Sequence, residues 1–261
     1  VELSVRIYNN QAMKRTLFIL ILALFAFQVE GQIIRAHPFA RAQVSASRTF
    51  EQIIADGNTI GYYVAHVDNV SLEADSVVQW NDLSGSGNHL VQTLSLRKPL
   101  WDGTNVEIDF NPDAGTNDYL RDDITDEDQP FTAYSVIRQN ARSNTYVLVY
   151  FHGSGGYVRQ GGSDTQLNLN LASNIYVNNA AISEYGIITA VGNSTSSLLQ
   201  WNEEDATVGD AGIRGLQFIG VGLNTNSAQF SAKLLIVRTG VDSEADRLVV
   251  IRKLNELYTI Y

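Results

Sequence analysis

A chain of 261 residues with 44% hydrophobic and 18% charged side chains has the makeup of ordered globular material, not of a disordered or fibrous chain. Its 18 basic and 28 acidic residues leave a net charge of −10 and no Lys/Arg stripe, which argues against a nucleic-acid partner. With no Cys there is no thiolate catalysis, no zinc ribbon and no disulfide, so the fold must be held by its core.

Lys14 and Arg15 precede an apolar run over residues 17–27 and a short polar segment ending at Gly31. That order predicts a secretory signal peptide, and the run is shorter than the roughly 20 residues a membrane span needs. Residues 1–12 lie ahead of Met13, the only Met, and are grouped with the leader as a segment 1–31 outside the fold. The expectation is a secreted or surface-attached mature chain with no membrane span. Residues 32–60 read as a lead-in arm, with a short helix in "SRTFEQIIADG" capped by Ser47 and stopped by Gly57.

From residue 61 to 261 the texture becomes that of one β domain. Residues 77–80, 131–138, 145–151, 166–172, 186–191, 216–223 and 232–238 are strand-length, β-branched or aromatic runs bounded by turn residues. "QLNLNL" alternates strictly, as a half-buried strand should. Many short strands with no helices between them predict an antiparallel sandwich. One helix closes the chain, with Ser243 and Asp246 as a capping pair and Leu248, Ile251, Leu254 and Tyr258 on one face.

Inside this domain "WNDLSGSGNHL" (80–90) sets a run of Asn, Asp, Ser and Gly between bulky apolar residues. Asp82, Ser84 and Asn88 can bond nearby backbone while Gly85 and Gly87 supply positive φ. The reading is a structured corner anchored by burial of Trp80, Leu83 and Leu90. "FHGSGG" (151–156) lacks an accompanying nucleophile elbow and reads as a hairpin turn.

The order "SVVQWNDLSGSGNHLVQ", "KPLWDGTNVEIDF", "DYL" and "FTAYSVIR", with the tail from "FIGVGL" to "NELY", resembles the laminin-G-like jelly rolls of the concanavalin A-like lectin/glucanase superfamily. The resemblance runs from about residue 61 to 258. It implies an all-β, antiparallel jelly-roll sandwich with a short C-terminal helix. It also implies a glycan or extracellular polysaccharide as partner, because the superfamily holds lectins and glycoside-cleaving enzymes alike.

Glu107 and Asp109 in "VEIDFNPD" fill two places of the superfamily's catalytic strand, but the third falls on Asn111 or Pro112, and neither can serve as the acid. A non-catalytic binding module is therefore expected, with a structural or virion-surface jelly roll and a diverged glycosidase as alternatives. Sugar recognition needs an aromatic platform ringed by planar polar groups. The candidates are Trp101 with Asp102, Trp201 with Asn202, and Tyr185 beside Glu184. The acidic run 121–130 offers Asp122, Asp123, Asp126 and Asp128 as Ca²⁺ ligands, or forms a solvated acidic loop.

Overall fold

The computed structural model describes residues 48–110, 118–141, 147–153, 155–160, 165–178, 180–181, 183–222 and 229–261. Strands β1 (Thr59–Val64), β2 (Val70–Glu73), β3 (Ser76–Trp80), β4 (Leu90–Val91), β5 (Leu100–Asp102) and β6 (Glu107–Phe110) come first. They are followed by β7 (Tyr119–Glu127), β8 (Phe131–Ala141), β9 (Val147–His152), β10 (Gly156–Gln160), β11 (Leu167–Leu171) and β12 (Asn174–Val177). The last five are β13 (Gly186–Gly192), β14 (Ser197–Trp201), β15 (Thr207–Gly209), β16 (Leu216–Gly222) and β17 (Gln229–Thr239). Helix α1 (Phe50–Ile54) precedes them and α2 (Glu244–Tyr258) ends the chain.

The strands stack as two layers. The first runs β15-β14-β13-β8-β17, with β1 and β6 sharing the outer edge of β17. The second runs β12-β11-β10-β9-β16-β7-β4-β3-β2. Strand β5 pairs with both β6 and β3 and joins the layers along one side. All of these pairings are antiparallel, which makes the chain a nearly closed antiparallel β-sandwich.

Period-2 patterning explains which face each strand buries. Leu167, Leu169 and Leu171 of β11 enter the core between the layers, together with Ile219, Val221, Ile188 and Leu235. Strand β8 is buried on both sides: Phe131, Ala133 and Ile137 face the inter-layer core, while Tyr134 and Val136 lie in a second core. That second core is made by the helices. Val250, Ile251 and Leu254 of α2 and Phe50 and Ile53 of α1 pack with Ile187, Leu234 and Ile236 of the first layer. Burial on both faces is why β8 and β17 read as continuous apolar runs and not as alternation.

Helix α2 starts where Ser243 accepts the Asp246 N–H at 3.2 Å. Val250 takes the buried place the sequence reading gave to Leu248, which stays half-buried. Helix α1 is capped by Thr49 through a capping box with Gln52, and Ser47 lies outside the described residues. One compact unit runs from Arg48 to Tyr261 and contains α1 and β1.

Arg238, fully buried, ties these parts together. Its guanidinium donates to Asp242 at 3.0 Å, Asp56 at 2.8 Å, Thr59 Oγ1 at 2.7 Å and the Ile53 carbonyl. Arg48 extends the network by donating to Asp56 and Asp246.

The corner 80–90 is organised by one carboxylate. Asp82 accepts from the N–H of Tyr62 (2.9 Å), of Ser84 (2.9 Å) and of Asn88 (3.2 Å), and from the Ser84 hydroxyl (2.8 Å). Its own N–H donates to His89 Nδ1 at 3.0 Å. Gly85 and Gly87 hold φ of +87° and +80°. Trp80 and Leu90 are buried anchors as expected, but Leu83 is 44% exposed: its N–H, and not its side chain, fastens the corner, by donating to the Tyr62 carbonyl. Burying a Trp the size of Trp80 contributes on the order of 5 kcal/mol at most, at roughly 25 cal/mol per Å².

Candidate ligand-binding face

Glu107 sits at the start of β6, pairs with Asp102 across the hairpin to β5, and is only 2% exposed. Arg138 donates to its Oε1 at 3.0 Å, the Tyr185 hydroxyl donates to its Oε2, and Lys233 Nζ lies 4.0 Å from the same oxygen. The Tyr185 ring is contacted by both cations, at 4.9 Å from Arg138 and 4.6 Å from Lys233. Burial, with help from Glu107, pushes the Tyr185 phenol well above its ordinary pKa, so it stays protonated and donates. Asp109, two residues on, accepts from Asn140 at 3.0 Å and Ser231 at 3.3 Å. Burial holds its pKa above the usual carboxylate value, and the charge of Glu107 adds to the rise.

This cluster gathers some of the residues singled out in the sequence. Tyr185 belongs to it through Glu107, and Asp102 stands at its edge. The Asp102 carboxylate is spent on its own turn, accepting from the N–H groups of Thr104 (2.8 Å) and Asn105 (3.1 Å) and from the Asn105 amide (2.8 Å). Trp101 is half-buried and packs against the inter-layer core. Asn111, Pro112 and Asp113 lie outside the described residues.

Trp201 is not a platform. It is 2% exposed and points into the core, its ring lying where a Cβ on Gly186 would come within 2.0 Å. Asn202 bonds Ile187 both ways, its N–H to the carbonyl and its side-chain oxygen to the N–H, each at 2.8 Å, and so terminates a ladder. The acidic run is corrected too. As far as Glu127 it is strand β7 and not a loop, so Asp122 and Asp123 point to opposite faces. Asp123 pairs with Arg121 at 3.0 Å, and Asp126 and Asp128 are exposed. Four carboxylates spread in this way do not converge on one ion, and among the described residues no group of three metal-ligating side chains does.

The face that sequence reasoning missed is the outside of the second layer. The helices cover the outside of the first layer; over the second, no element packs among the described residues. Strand register places Arg121 opposite Gly220, Gly220 opposite Tyr150, Tyr150 opposite Tyr157, Tyr157 opposite Asn170, and Asn170 opposite Asn174. Cross-strand partners share a face, so these six side-chain positions form one row perpendicular to six strands. At about 4.8 Å per strand the row is roughly 24 Å long.

At one end the row dips into a groove of about 260 Å³, lined by Tyr119, Arg121, Tyr150, Gly153 and Phe218 and floored by Gly220 and Gly222. Phe218 lies against Tyr150, with centroids 4.4 Å apart, and under Arg121 at 5.1 Å. Burial raises the Tyr150 phenol above its ordinary pKa, while the charges of Arg121 and Arg214 oppose the rise. Arg159 stacks over Tyr157 at 5.1 Å and donates to Asn168 Oδ1 at 3.1 Å. The signal for this face lay in the alternation of "FIGVG", whose outward positions 218, 220 and 222 carry Phe and Gly, but which strands lie side by side depends on pairings remote in sequence.

No protein-family model matches the sequence, and no curated protein does. Solved structures do. A GH54 α-L-arabinofuranosidase soaked with a cyclic sulfate inhibitor superposes with a TM-score of 0.56 at 12% identity, over 80% of this chain and 64% of its own. A Trypanosoma rangeli sialidase in complex with sialic acid gives 0.52 at 9% identity, over 75% of this chain and 33% of its own. The binding domain of botulinum neurotoxin DC in complex with SialylT gives 0.52 at 12% identity, over 77% and 52%. This chain therefore spans a third to about two-thirds of the lengths of these proteins. At such identities the likeness is one of fold: an antiparallel sandwich shared with proteins that cleave or bind sugars. Among the described residues no helix is long and apolar enough to cross a membrane.

Proposed function

We propose that this chain is a secreted, non-catalytic carbohydrate-binding module of laminin-G-like jelly-roll kind that holds its glycan on the outer face of the second layer. The observation that carries the reading is the Tyr150–Tyr157 cross-strand pair, half-exposed and flanked by Arg121, Arg159 and Asn170 on a sheet face that no helix covers among the described residues. Tyr rings offer the C–H faces of a sugar an apolar surface, and amide and guanidinium groups pair with its hydroxyls. The sialidase and the neurotoxin domain, whose solved structures are complexes with sialic acid and SialylT, share this fold over part of their own lengths, which agrees with this reading. Absence of catalysis is supported by Glu107, which spends both oxygens on Arg138 and Tyr185 and is nearly closed to solvent. A general acid or nucleophile must reach substrate.

The test is a glycan array with the full chain, followed by titration of each hit against Tyr150→Ala. A hit that weakens at least about fivefold in the variant supports the reading, since loss of one stacking ring removes about 1–2 kcal/mol. No hit from a folded protein would favour a purely structural sandwich.

A further inference from the structure

The groove and its row also specify a kind of glycan. Resting on the binding reading above, we propose that the second-layer face takes an internal stretch of a linear, acidic polysaccharide, laid across the strands from Arg121 to Asn174.

Two independent features lead there. The first is shape. The row runs unbroken over six strands, roughly 24 Å, and three of its positions, Arg121, Gly220 and Tyr150, line the groove. A site for one terminal sugar would instead wall the ligand in on several sides, as small-molecule pockets do. Here Gly220 lowers the floor between Arg121 and Tyr150, so a chain can pass over it without a step.

The second feature is charge. In a chain with 28 acidic residues and a net charge of −10, the row holds no carboxylate; its polar members are one guanidinium and two amides. Two more guanidiniums border it. Arg159 lies over Tyr157, and Arg214 donates to the Gly155 carbonyl at 3.3 Å and acts electrostatically on Tyr150. Asp123, opposite Phe218, is an acid on that side and is paired with Arg121 at 3.0 Å. The planar fork of Arg matches carboxylate and sulfate oxygens in a way it does not match neutral hydroxyls. A strip with three guanidiniums in or beside it, on an otherwise anionic protein, favours anionic polymers over neutral ones.

The experiment is calorimetric titration of the full chain with oligouronates of one, three and six units and with a neutral hexasaccharide, at low and high salt. The acidic hexamer is expected to bind at least about tenfold tighter than both the acidic monomer and the neutral hexamer. That advantage should shrink in high salt and in Arg121→Gln, and Asn174→Ala should weaken the hexamer and leave the monomer unchanged. Equal affinity for monomer and hexamer, or for acidic and neutral hexamers, overturns this inference and leaves glycan binding standing. Failure of every oligosaccharide here and on the array overturns both.

Discussion

Tyr150 of β9 and Tyr157 of β10 stand directly opposite one another, while their neighbours Val149 and Val158 face the core. The pair is fastened from behind by the sandwich and left open in front. Replacing Tyr157 with Ala should therefore cost binding far more than stability. An affinity loss of about tenfold with a melting shift of only a few degrees is expected, measured by titration and by differential scanning calorimetry.

Gly220 and Gly222, two positions apart on β16, answer differently to substitution. A Cβ at Gly220 would sit 3.4 Å from the Leu120 carbonyl and 3.6 Å from Arg121 Cγ, which is ordinary contact. Gly220→Val should fold and yet fill the groove, abolishing glycan binding. Gly222 has φ of +74°, and its Cβ would come within 2.3 Å of the Asp118 carbonyl. Gly222→Ala should lose about 1–3 kcal/mol in urea unfolding.

Glu107 separates a catalytic from an architectural role. Glu107→Gln leaves Arg138 and Lys233 facing a neutral amide, and a stability loss of about 2 kcal/mol is expected, moderated because Arg138 is a third exposed. Glycan affinity at the second layer should not change. A fall in affinity matching that of Tyr150→Ala would move the ligand to the first layer.

Acid should loosen the junction of the helices with the sheet. Burial works against ionisation of Asp56, but bonds from Arg238, the Asn58 N–H and Arg48 outweigh it and hold its pKa well below the ordinary carboxylate value. The Arg48 pairing lowers Asp246 likewise. A depressed folded pKa contributes stability that is complete above the unfolded value, about 4, and is lost as pH falls below it. Urea unfolding between pH 7 and 3 should show that decline. Arg238→Met, which removes the partner holding Asp56 down, should flatten it while lowering stability at neutral pH.

Calcium gives a simple contrast. Because β7 splays Asp122 and Asp123 to opposite faces, EDTA should leave the melting temperature where it is. A chelator-induced drop of several degrees would require a site elsewhere.

Much of this architecture can be read from local chemistry. Alternation in "QLNLNL", the capping pair Ser243–Asp246 and the glycines of the 80–90 corner act over a few residues, where period and φ restrict the choices. That Asp82 bonds backbone close by was legible in the same way, since Asx bonding is short-range; its bond to the Tyr62 N–H, twenty residues away, was not. The acidic run imitates a loop by its charges; pairing with β16, nearly a hundred residues away, makes it a strand as far as Glu127.

The row Arg121–Gly220–Tyr150–Tyr157–Asn170–Asn174 had no such local sign. Its members come from six strands, and a slip of one residue in any pairing would turn a side chain to the other face. Trp201 and Tyr150 show the same dependence from two sides: both are aromatics in apolar strands, yet one ring closes over Gly186 in the core and the other meets solvent. Amino-acid order settles which segments are strands and where the chain turns, because those depend on neighbours along the backbone. Which aromatics are left for a ligand depends on register and on which layer the helices cover, and both arise from contacts between residues far apart in the chain.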